Sequence, residues 1–86
     1  KTAPNPETLM IADSWASLGP SPLSHWYAGV AHARAYIVTG KEEEYQNAVK
    51  YASLYSDSHV VVNDRRKKVG DIITWVNKER LKRASV

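Results

Sequence analysis

The sequence predicts an all-α fold, a small bundle of about four helices. Three observations carry that expectation. Apolar residues recur at helical spacing in four separate windows. Three of those windows open on a residue able to cap a helix, and two close on glycine. The one β-branched run, His59-Val60-Val61-Val62, is short and has no second such run to pair with.

The elements follow in order. Residues 1–5 read as an extended lead-in, because Pro4 turns Ala3 away from helical geometry. Asn5-Pro6-Glu7 then starts a helix over 6–18: Asn caps, Pro at the first helical position loses no needed hydrogen bond, and Glu meets the positive helix end. Ile11, Trp15 and Leu18 lie on one face, and Gly19-Pro20 ends the helix. Ser21-Pro22 repeats the same start for a helix over 22–39, whose stripe of Leu23, Trp26, Tyr27, Val30, Ala33 and Ile37 marks it as the central buried helix. Gly29 inside it costs about 1 kcal/mol against Ala and so marks a close helix crossing. Glu42-Glu43-Glu44 opens a third helix over 42–55, with Tyr45, Ala48, Val49, Ala52 and Tyr55 inward. After a short extended segment at 59–62, Asn63-Asp64 caps a last helix over 64–83. The competing reading is a small hairpin over 60–69 that turns at Asn63-Asp64, with the helix starting at Asp71. The core is expected to include Trp15, Leu18, Trp26, Val30, Ile37, Val49, Ile72 and Val76.

Composition bounds the rest. The 86 residues are 43% hydrophobic and 24% charged, which is globular composition and fits one helical domain spanning 1–86. Lys1, where an initiating methionine would stand, reads as a processed product or an excised domain. The uncharged stretch running from Ser14 up to Arg34 is cut by Gly19, Pro20, Pro22 and Gly29, so it is not a membrane span. The chain has no cysteine, which excludes disulfides, thiolate metal sites and thiol catalysis. That fits the cytosol as well as other compartments.

Charge is the most informative feature. The net +3 divides unevenly: residues 60–86 hold eight basic and three acidic residues (+5), whereas 1–59 hold four and six (−2). Two basic groups, Arg65-Arg66-Lys67-Lys68 and Lys78, Arg80, Lys82 and Arg83, flank an apolar segment. On one continuous helix their centres would lie roughly 21 Å apart, a span that reaches successive phosphates. The bland alternative is a solvated face on a terminal helix, with cations that suit the helix dipole. Trp75 is placed in the core, supplying bulk in a chain without Phe; its other reading is an exposed ring that stacks on an unpaired base.

No catalytic pattern emerges. His25 and His32 are seven residues apart, beyond the one-turn spacing that places two imidazoles on one metal. Asp13, Ser14 and His25 make no nucleophile constellation, and the four scattered glycines form no phosphate loop. The expected function is therefore non-catalytic, without metal or cofactor: binding of nucleic-acid backbone through a basic C-terminal helix, using Arg65, Arg66, Lys67, Lys68, Lys78, Arg80, Lys82 and Arg83. The alternative is a protein-interaction or regulatory module, with Tyr51, off the inward face of the third helix, as its exposed anchor.

Overall fold

A computed structural model describes residues 2–85. The order is α1 (Pro6–Leu18), α2 (Pro22–Thr39), α3 (Glu42–Ser53), β1 (His59–Val62), β2 (Arg65–Lys68) and α4 (Asp71–Ala84). The fold is the expected small helical bundle, joined by one two-stranded antiparallel sheet.

The caps form as their residues dictate. The Asn5 side chain accepts from the Thr8 amide at 2.7 Å. Ser21 and Ser24 make a reciprocal capping box, and the Ser24 hydroxyl also donates to the Gly19 carbonyl at 2.8 Å, fastening α2 to the end of α1. Gly40 closes α2 in the left-handed region at φ 72°.

The long last helix is not formed; the competing hairpin is. Asn63 and Asp64 take φ of 52° and 62°, the two-residue turn whose twist matches antiparallel strands. Val60-Val61-Val62 prefers the pleated surface, and four consecutive cations repel less on alternating strand faces than around one helical turn. Gly70, which on a continuous helix would only weaken its middle, instead precedes α4 directly. A Cβ there would sit 2.6 Å from the Ser56 carbonyl oxygen, to which the Gly70 amide donates at 3.0 Å. The third helix also stops two residues early, at Ser53.

Helix α2 packs against α1, α3 and α4. The main core joins Ala33 and Tyr36 of α2, Ala48 and Ala52 of α3, Val60, Val69, Ile72 and Val76. Gly29 marks the crossing as expected: a Cβ on it would meet the buried Ile72 side chain at 2.8 Å. A second cluster is built almost wholly of alanine, with Ala12 and Ala16 of α1 against Ala28 and Ala31 of α2.

That alanine seam corrects the core expectation. Ile72 and Val76 are buried, and Trp26, Val30, Ile37 and Val49 are half-buried. Trp15 and Leu18 are not core: they are 42% and 87% exposed. Small side chains let α1 and α2 approach closely, so α1 buries its alanine face. Met10, Ile11, Trp15 and Leu18 turn outward, while Leu9 packs on the alanine cluster.

Candidate nucleic-acid interface

The two basic groups meet different fates. In the hairpin, His59 opposes Lys68, Val60 opposes Lys67, Val61 opposes Arg66 and Val62 opposes Arg65. Opposed residues share a face. Val60 is buried, so Arg65 and Lys67 lie on the inner face of the ribbon, while Arg66 and Lys68 lie on the outer face with exposed Val61. None of the four cations has a carboxylate partner among the described residues. Among the described residues no third strand joins the ribbon, so the four cations sit two on each face of a narrow support.

On α4 the cations are largely engaged. The Arg80 guanidinium donates to Glu42 at 2.8 Å and lies 4.1 Å from the centroid of the Tyr45 ring, tying α4 to α3. Arg83 donates to the Ile37 carbonyl at 2.6 Å, covering the open end of α2, and pairs with Glu79 at 3.2 Å. Lys82 approaches the same carboxylate at 3.8 Å. Lys78 alone in this group has no such partner among the described residues. The two groups therefore do not share one continuous helix, and the 21 Å spacing does not apply. They sit at opposite ends of α4.

Trp75 is not core either. It is 39% exposed and lines a cleft of about 490 Å³ between α2 and α4. Arg34, from the net-acidic part of the chain, borders the same cleft.

Tyr51 is not a free anchor. It is half-buried, its hydroxyl donates to Asp13 at 2.8 Å, and its ring stacks on His32 at 5.7 Å. Burial, with the Asp13 hydrogen bond and charge adding to it, pushes the phenol up to about 12. A pKa raised on folding stabilises the fold fully below the ordinary value near 10 and loses that contribution as pH rises through 12.

This tyrosine belongs to a polar layer that sequence spacing does not reveal. Buried His32 holds Asp13 at its Nε2, 2.7 Å away, and Glu44 at its Nδ1. His25 meets the Tyr51 carbonyl at 2.8 Å through Nδ1. The layer joins α1, α2 and α3 and borders neither cleft that flanks Arg34. Both ring nitrogens of His32 are occupied by side chains from α1 and α3. Among the described residues no three His, Asp or Glu side chains form a metal-binding group. The one signal for the layer was the burial-prone position of two histidines on an alanine-rich helix.

No family model matches the chain, and no curated protein or solved structure shows significant similarity to it.

Proposed function

We propose that this protein is a non-catalytic module that binds the nucleic-acid backbone, with the 59–68 hairpin as its contact element. One observation carries the reading: Arg65, Arg66, Lys67 and Lys68, two on each face of the ribbon, have no carboxylate partners among the described residues. Free cations release condensed counterions when they meet phosphates, whereas paired ones must first break a contact. A two-stranded ribbon also has the cross-section that a major groove admits. Lys78 joins the contact set; Arg80 and Arg83 serve the fold. The test is a titration of labelled duplex and single-stranded oligonucleotides at several salt concentrations. Affinity that falls steeply with salt, and a slope that flattens when the row is replaced by alanine, supports the reading.

A second reading, contact with another protein, is favoured by the uncovered stripe of Ile11, Trp15 and Leu18 on α1, continued by Leu23 and Tyr27 on α2. The Trp15 and Tyr27 rings meet at 5.5 Å, so the stripe crosses from one helix to the next. Its residues carry no charge, and the occupant of this reading is a second copy of the chain presenting the same apolar stripe. A concentration-dependent mass in sedimentation, abolished by Leu18→Lys, is the expected result.

A further inference from the structure

The cleft between α2 and α4 has the features of a seat for an unpaired base. Its volume, about 490 Å³, falls within the roughly 300–1,000 Å³ typical of small-ligand sites. One wall is apolar, made of Ile37, Val38 and the exposed part of Trp75. The rim carries Arg34 and Lys82. Arg34 has no carboxylate partner among the described residues. Glu79 also borders the cleft, but Arg83 pairs with it at 3.2 Å, so its charge is answered from outside. The balance at the rim is positive beside an available aromatic face. A flat, apolar group joined to an anionic group fits both parts, and a nucleotide has that form.

The cleft also has a continuation. A smaller hollow of about 210 Å³ lies along α2, lined by Tyr27 and Val30, and it shares Arg34 and Thr2 with the first. Tyr27 and Arg34 are seven residues apart, about 10 Å along one helix face. The two hollows thus make one groove with a free cation in the middle and an exposed aromatic ring toward either end. A lone nucleotide would fill only one of them; a strand passing Arg34 fills both.

We propose that this groove binds a short single-stranded segment, with one base stacked on Trp75 and the adjoining phosphate held by Arg34 and Lys82. The inference rests on the nucleic-acid reading above and adds to the hairpin's backbone contact a second site, one that takes unpaired strands. Stacking is tolerant of base identity because every base has a π face, so no strong sequence preference is expected.

The experiment compares a labelled single strand of about 12 nucleotides with a duplex of the same length at about 50 mM salt, using the intact chain. Four proteins are titrated: the native chain, Trp75→Leu, Arg34→Gln, and the hairpin with all four cations replaced by alanine. Leu keeps apolar bulk and removes the π face. Trp75→Leu is expected to weaken single-strand binding roughly 5- to 150-fold, the equivalent of one lost base stack, with duplex binding within about twofold. Arg34 is exposed, so Arg34→Gln keeps the test open if Trp75→Leu unfolds; its single-strand salt slope is expected to fall by roughly 0.7. Single-strand affinity unchanged in both variants, while salt-dependent binding persists, overturns the groove assignment and leaves the hairpin reading standing. If the native chain binds neither oligonucleotide, the backbone reading fails and the groove assignment with it. Adenosine monophosphate that binds as tightly as the strand, with the same dependence on Trp75, overturns the strand assignment in favour of a free nucleotide.

Discussion

The hairpin row and the end of α4 carry the same residue types in similar density, yet one is free and the other is built into the fold. Arg83 covers the α2 terminus, and Arg80 bridges to α3. Arg65 to Lys68 contact no carboxylate among the described residues. A count of lysine and arginine treats these groups as equals. Their partners separate them: the hairpin cations and Lys78 meet no carboxylate among the described residues, whereas Arg80 and Arg83 are tied to α3 and α2.

The largest effect that sharpens this contrast is replacement of Arg65, Arg66, Lys67 and Lys68 together by alanine. The log–log salt slope is expected to drop by roughly 0.7–0.9 for each cation that contacts a phosphate, while the thermal transition stays near that of the native chain. Next in size, Arg83→Ala is expected to cost about 1–3 kcal/mol, because charge-assisted bonds to the Ile37 carbonyl and Glu79 are lost together. Its oligonucleotide affinity should hold, read by melting and titration on one sample. An Arg83→Ala protein that melts normally but loses affinity would break the division between the groups. Lys78→Ala, the unpaired member of the α4 group, should behave like a hairpin residue and reduce the slope by roughly 0.7–0.9 without a stability change.

The smallest effect concerns the turn. Asp64 holds φ 62°, which costs a non-glycine residue about 1–2 kcal/mol. Asp64→Gly is expected to raise stability by a part of that amount. It also removes the carboxylate next in sequence to the row, so binding should tighten slightly, measured at low salt.

Much of the helical bundle was legible, and the reasons are local. Asn5-Pro6 and Ser21-Pro22 capped α1 and α2 where expected, because a capping oxygen and a fixed proline φ act within one turn. The hairpin was harder, since Asn63-Asp64 serves as a helix cap or as a turn with equal local chemistry. What decides it is distant: the Ser56 carbonyl against Gly70 and the burial of Val60 and Val69. The core was misread on α1 for a related reason. Ile11, Trp15 and Leu18 have the right period, but the alanines beside them allow closer packing, and period alone does not say which face wins.

Site residues were less legible than the fold. Composition pointed to Arg65–Lys68, and among the described residues none of these has a carboxylate partner. It pointed equally to Arg80 and Arg83, whose partners lie 38 and 46 residues away along the chain. Tyr51 looked exposed until the fold placed Asp13 and His32 around it. Arg34 and Trp75 come together only through the packing of α4 on α2.

The most direct measurement is the salt dependence of oligonucleotide binding for three proteins: the native chain, the hairpin row replaced by alanine, and Arg80→Ala with Arg83→Ala. A steep slope is expected for the native chain, a markedly flatter one for the hairpin variant, and a slope near native for the α4 variant despite its lower melting temperature. Equal slopes for the native and hairpin proteins, or no binding at about 50 mM salt, would contradict it. The free row would then be left with a protective role, keeping an unpaired strand edge from joining other chains.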